Sequence, residues 1–131
     1  IYCGSSSGMR STVILIALLC SSVFAHEMTP TYPSWSISHI EGVQKTRMAI
    51  FNKRSDVNYY EIGVFTSEWQ PIPFVTSYNI MKVDYLTSVK FDVYITEANS
   101  LAAEYICSIS KLQGDTFNKS MVASKICSRF K

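Results

Sequence analysis

The sequence has no dominant charge. Its 12 basic and 10 acidic residues give a formal net charge of +2 and are scattered along 131 positions, so no basic stripe marks a nucleic-acid partner or an anionic membrane surface. It has no apolar run long enough to cross a bilayer, which takes roughly 20 residues; Val13–Cys20 (VILIALLC) falls far short. There is no internal repeat and no sustained helical period. There is also no nucleophile elbow and no ordered Ser, His and Asp spacing, and the carboxylates are interleaved in strand patterns as solvent-facing residues. An enzyme, and a hydrolase in particular, is therefore not expected. Two histidines and four cysteines are too sparse for a cysteine-based metal site.

What is present suits one globular domain: 47% of residues are hydrophobic and 17% charged, which is enough for a single core in a chain of this length. Eight Tyr and seven Phe beside many Val, Ile and Thr favour pleated, half-buried surfaces. The N-terminus reads as an export signal: Met9 as start, Arg10 as a positive n-region, Val13–Cys20 as an apolar h-region, and Val23-Phe24-Ala25 with small residues where signal peptidase needs them. Cleavage is expected after Ala25, leaving a domain over 26–131, no membrane span, and a periplasmic or secreted location. Residues 1–8 read as a non-native or upstream segment. Cys107 and Cys127 are then the only pair in an oxidising setting, and a disulfide between them is expected, with two buried thiols as the alternative.

Strand periodicity is the recurring signal. Val89, Phe91, Val93 and Ile95 alternate with Lys90, Asp92, Tyr94 and Thr96, predicting a half-buried strand over 89–96. Similar alternation predicts strands over 46–52 and 58–66, joined by the polar turn Asn52-Lys53-Arg54-Ser55-Asp56. Trp35, Ile37 and His39 suggest an opening strand within 34–40, and Tyr105, Cys107 and Ile109 a late one. Pro71 and Pro73 remove ladder donors, so their segment is an edge, a loop or a switch between sheets. Asn99–Ala103 suits one helical turn, while Ser120–Ile126 fits either a short helix or a last strand. The sum predicts an all-β, immunoglobulin-like sandwich of about seven strands.

Several segments in order carry a family resemblance: Met28-Thr29-Pro30, Thr46–Asn52 as a strand ending in Asn, Tyr59-Tyr60-Glu61-Ile62, Ile72-Pro73-Phe74-Val75 and Tyr105–Lys111. Together they resemble the N-terminal domain of periplasmic pilus chaperones. The resemblance implies an exported, non-enzymatic domain that binds another exported or surface protein by adding a strand at a sheet edge, as a chaperone-like or structural component of a surface or viral assembly. Those chaperones hold a subunit carboxylate with an Arg of the first strand and a Lys of the last. Here the residues offered are Arg47, on the second predicted strand, and Lys111, with Pro71 and Pro73 marking the edge. The family has two such domains, whereas 26–131 holds one.

A second reading begins at the cleavage point. Cutting after Ala25 would make His26 the first residue, whose amine and ring nitrogen chelate one copper ion, with His39 as the further imidazole. Trp35, Trp69, Tyr59, Tyr60 and Tyr94 are candidates for a carbohydrate-stacking surface, although strand aromatics more commonly pack cores and cross-strand pairs. Asn118-Lys119-Ser120 fits a glycosylation sequon, meaningful only in a eukaryotic secretory route.

Overall fold

The computed structural model describes residues 25–111 and 123–131. The predicted leader up to residue 24, the 1–8 segment and the sequon at 118–120 lie outside the described residues. Those that are described form two antiparallel sheets packed as a sandwich, with one short helix. In chain order they are β1 (Glu27–Thr29), β2 (Ser36–Ile37), β3 (Val43–Phe51), β4 (Tyr59–Phe65), β5 (Val75–Thr76), β6 (Ile80–Lys82), β7 (Ser88–Thr96), α1 (Glu97–Ala102), β8 (Tyr105–Lys111) and β9 (Lys125–Arg129). The first sheet runs β1-β3-β7-β5, with β2 also on β3; the second runs β6-β4-β8-β9. Among the described residues no helix is long and apolar enough to cross a membrane.

Alternation explains the long strands. Met48 and Ile50 of β3, Tyr60, Ile62 and Val64 of β4, and Phe91, Val93 and Ile95 of β7 all point into one core, while their neighbours face out. The Asn52–Asp56 turn is the corner that carries the chain from the first sheet to the second. The predicted turn near Asn99 is α1, capped by the Thr96 hydroxyl, which accepts from Asn99 N.

The opening strand is shorter than the pattern suggested. Only Ser36 and Ile37 pair with β3, and a separate β1 precedes them. Trp35 is half-buried, stacked on Phe130 with ring centroids 4.5 Å apart. Ile37 is 87% exposed. His39 lies past the strand, because the Ser38 hydroxyl accepts from Ile40 N and donates to Val43 O, closing a turn at that point.

The proline segment does switch sheets. Pro71 bridges to Phe65 beside the second sheet, β5 then pairs with β7 of the first, and β6 returns to β4 of the second. The N-terminal segment switches too: β1 pairs with β3, and beyond it the carbonyls of Thr31 and Pro33 accept from Arg129 N and Lys131 N at the rim of β9. The undecided Ser120–Ile126 stretch lies outside the described residues up to 122, and its end enters β9 as strand.

Candidate functional site

Register decides which backbone groups are free at β9. The bonds Ser110 N to Ser124 O and Phe130 N to Glu104 O fix the even-numbered residues as those that bond across to β8. The N–H and C=O of Lys125, Cys127, Arg129 and Lys131 therefore point to the outer edge. Arg129 N and Lys131 N are taken by Thr31 and Pro33; the edge at Lys125 and Cys127 has no strand partner among the described residues. Cys107 and Cys127 face each other in this register, at a non-hydrogen-bonded pair where side chains approach closely, and they form a disulfide. At the end of β9 the sandwich opens in a cleft of about 710 Å³ lined by Tyr32, Trp35, Glu104, Arg129, Phe130 and Lys131, among others. The Trp35 indole N–H is buried there with no partner among the described residues, and Arg129 is ion-paired to Glu104 at 2.8 Å.

Behind this edge the core is polar. Ser108 and Ser110 point inward from β8, opposite Ile62 and Tyr60, and His26 enters between the sheets at 2% exposure. Its Nε2 lies 3.1 Å from Ser108 O and 2.7 Å from Ser108 Oγ, and its Nδ1 lies 3.0 Å from Ser124 Oγ. A carbonyl only accepts, so Nε2 carries the hydrogen and Nδ1 accepts from Ser124. The ring rests against Tyr60, centroids 4.5 Å apart. Tyr60 donates to Asn52 Oδ1, and burial pushes its phenol up to about 12, with Arg54 pulling the other way.

Burial also holds the His26 imidazole below its ordinary value; the Ser108 carbonyl opposes this and the Arg54 charge adds to it. Between the lowered folded value and the unfolded value near 6.5, the unfolded chain binds more protons, so stability rises with pH across that window. Unfolding free energy is expected to be highest above pH 6.5 and to fall as pH drops through the window, then to level off. His26→Gln should remove that slope in denaturant titrations run between pH 5 and 7, a range above the usual carboxylate titrations.

The outer face of the second sheet carries an aromatic roof. Phe65 folds back over Gly63, where an added Cβ would meet its ring at 2.8 Å. Trp69 stacks on Tyr105, with centroids 4.3 Å apart and planes 2° apart. The Lys125 ammonium sits 4.6 Å from the Trp69 ring and 5.0 Å from Phe65. Trp69 holds φ +63° in a tight turn in which Thr66 Oγ1 accepts from Glu68 N and Gln70 N. Because a side chain in that left-handed region costs on the order of 1 kcal/mol, Trp69→Gly should keep about 1 kcal/mol more stability than Trp69→Ala, the alanine variant losing roughly 1–2 kcal/mol of stacking and cation–π contact. Thermal unfolding of the two variants reads this difference.

The residues singled out by sequence do not converge. Arg47 lies on the outer face of the first sheet, bonded twice to Asp92 directly opposite at 2.8 and 3.1 Å, which holds the Asp92 carboxyl below its usual value. Lys111 lies on the outer face of the other sheet, 2.7 Å from Glu61, on the penultimate strand of the described residues. Pro71 and Pro73 stand at the sheet switch, away from both. His26 is buried in the hydrogen bonds above, and His39 is exposed with its ring edge-on to Tyr94 at 6.2 Å. No group of three or more metal-ligating side chains forms among the described residues. Of the five aromatics, Tyr60 is core and Trp69 joins the outer roof.

Sequence reasoning missed Arg129, Lys131 and the β9 edge. A signal for them exists: Lys125, Cys127, Arg129 and Lys131 alternate with Ile126, Ser128 and Phe130, a period of two that continues past residue 126.

No known protein family matches this chain by sequence, and no curated protein does. Among solved structures, the crystal structure of the E. coli chaperone DraB matches with a TM-score of 0.60 at 15% identity, over 83% of this chain and 54% of that one. The chain thus spans about half the length of the chaperone it matches, and at this identity the likeness is one of fold. It agrees with the immunoglobulin-like sandwich read from the sequence.

Proposed function

We propose that this chain is an exported domain that binds another exported or surface protein by strand-edge pairing, as a chaperone-like or structural component of a surface or viral assembly, in the periplasm or outside the cell. The observation that carries the reading is the outer edge of β9: the backbone groups of Lys125 and Cys127 face outward and have no strand partner among the described residues. Unpaired N–H and C=O groups at a sheet edge are a template for another chain, and that template supplies affinity through main-chain bonds while side-chain pockets select the partner. The fold shared with a chaperone agrees with this role. The pairs Arg47–Asp92 and Lys111–Glu61 then serve as exposed cross-strand ties of the two outer faces, screened by solvent.

The test is hydrogen exchange on the protein mixed with envelope proteins from its own source. Slowed exchange along a strand edge in the complex supports the reading. A protein that stays monomeric, protects no edge and instead turns over a substrate would overturn it.

A further inference from the structure

The sheet switch leaves a second edge open on the opposite side of the sandwich. β5 is only two residues long, and its register sets Val75 against Tyr94 and Thr76 against Val93. Past Thr76 the chain crosses to β6 in the other sheet. The half of β7 from Ser88 to Phe91 therefore has β3 on one side and no strand on the other among the described residues.

Two independent sets of bonds fix which of its backbone groups point into that gap. Asn52 N bonds to Thr87 O, and Glu97 N bonds to Gly42 O, so in this register the odd-numbered residues of β7 bond to β3. Independently, Thr76 Oγ1 donates to Asp92 O at 2.9 Å, which puts an even-numbered carbonyl on the outer side. Both place the N–H and C=O of Ser88 and Lys90 in the gap, at the position that β5 would fill if it ran straight on.

The gap is a groove of about 460 Å³ between β6 and β7. Met81 and Phe91, both buried, with Val89 form an apolar floor. Tyr78 (72% exposed) and Ile80 (50%) leave apolar surface at the rim. Lys82 and Lys90 are the charged residues that line it, and no carboxylate does. Lys90 has no ion pair among the described residues, and Lys82 reaches only Asp84, at 3.9 Å with both side chains largely exposed.

We infer that this gap is a docking slot for an extended segment of a partner protein whose side chains alternate between apolar and acidic. Four backbone groups two residues apart need donors and acceptors at the same spacing, which an extended peptide supplies and a lipid tail does not. With the backbone paired to Ser88 and Lys90, alternate side chains of the incoming strand point to opposite faces. One set enters the apolar floor; the other lies on the outer face of the first sheet beside Lys90, where opposite charge is favoured, and Lys82 stands on the facing β6 rim. The inference rests on the strand-edge reading above and adds to it a second edge and a partner chemistry.

The test uses the full chain and a blocked seven-residue peptide alternating valine and glutamate, with two controls: the same peptide with every second amide N-methylated, and one with lysine in place of glutamate. Calorimetry gives affinity, and amide exchange by NMR locates the contact. The expected result is slowed exchange of the Lys90 amide, and binding weakened at least tenfold by N-methylation, by the lysine peptide and by Lys82→Glu with Lys90→Glu, two exposed positions whose change leaves the fold intact. Equal binding of the N-methylated peptide would overturn the inference, as would equal binding of the lysine peptide. Protection confined to Lys125–Arg129 overturns the β7 assignment while leaving strand-edge binding standing. If no edge is protected either by these peptides or by envelope proteins, both fall.

Discussion

Asn52→Ala is expected to cost about 3–5 kcal/mol of unfolding free energy, a large loss for one side chain. Asn52 is fully buried at the corner between β3 and β4. Its Nδ2 donates to Val57 O at 2.7 Å and to Val83 O at 2.9 Å; its Oδ1 accepts from Arg54 N at 2.8 Å and from the Tyr60 hydroxyl. One side chain thus satisfies four groups, three within the eight residues that follow it and one, the Val83 carbonyl, just past β6. Its own backbone adds two more ties, Asn52 N to Thr87 O and Leu86 N to Asn52 O. Alanine leaves the four partners without the amide, and each buried unsatisfied group costs roughly 1–3 kcal/mol, less than additively because the pocket relaxes. Urea unfolding of the variant against the parent measures the loss. Tyr60→Phe is the calibrating control: it removes one bond of the four and should cost only about 1–2 kcal/mol. Asn52→Asp should be as damaging as alanine at neutral pH, since a carboxylate would then face the carbonyls of Val57 and Val83, and lowering the pH should recover part of the loss by restoring one donor.

This network also explains which parts of the fold were legible. β7 could be read because Val89, Phe91, Val93 and Ile95 are all apolar and all inward, so composition and direction agree. β3 and β4 were legible for the same reason, and their predicted bounds fall within a few residues of those observed. In β8 the agreement fails. Ser108 and Ser110 face inward to meet His26 and Ser124, while Tyr105, Cys107 and Ile109 lie on the outer face beneath the Trp69 and Lys125 roof. The strand was found, but the three positions that announced it mark the outside, and Ile106 is its one inward apolar residue. β1 escaped notice because the residue entering the core beside it is a histidine, a type that periodicity counts as polar. β9 alternates basic residues and cysteine with Ile126, Ser128 and Phe130, and its inward Ser128 breaks the apolar stripe. The site was less legible than the fold, since a free strand edge is a property of register and of where neighbouring strands stop. Arg47 and Lys111 were reasonable from chain order, yet they stand on opposite outer faces, a fact only the pairing supplies. The proline segment is the exception: the missing donors at Pro71 and Pro73 correctly announced a change of sheet, and that change leaves half of β7 with a strand on one side only among the described residues.

Replacing Cys107 and Cys127 together by Ser is expected to lower stability by about 3 kcal/mol. The disulfide spans a sequence separation of 20, and closing a loop of that size removes roughly this much chain entropy from the unfolded state. Beyond that global loss, removing the bridge should also loosen β9 locally. Among the described residues β9 is an edge strand of five residues with β8 as its single strand partner, and its other ties include the Thr31 and Pro33 carbonyls, the Arg129–Glu104 ion pair and the Lys125 ammonium on the aromatic roof. Without the bridge, opening of β9 should cost much less than global unfolding, so amides of Ile126 and Ser128 should exchange faster while those of β3 and β7 keep the protection set by global stability. The same opening would withdraw Ser124 from Nδ1 of His26 and let water reach the ring. The double variant should therefore show a shallower dependence of stability on pH between 5 and 6.5 than the parent, because the folded imidazole is then closer to its unfolded value. Denaturant unfolding of parent and variant, with and without reductant and at two pH values, reads both effects. A variant as stable as the parent, with unchanged exchange at Ile126 and Ser128, would mean that strand pairing and the serine–histidine contacts hold β9 without the bridge.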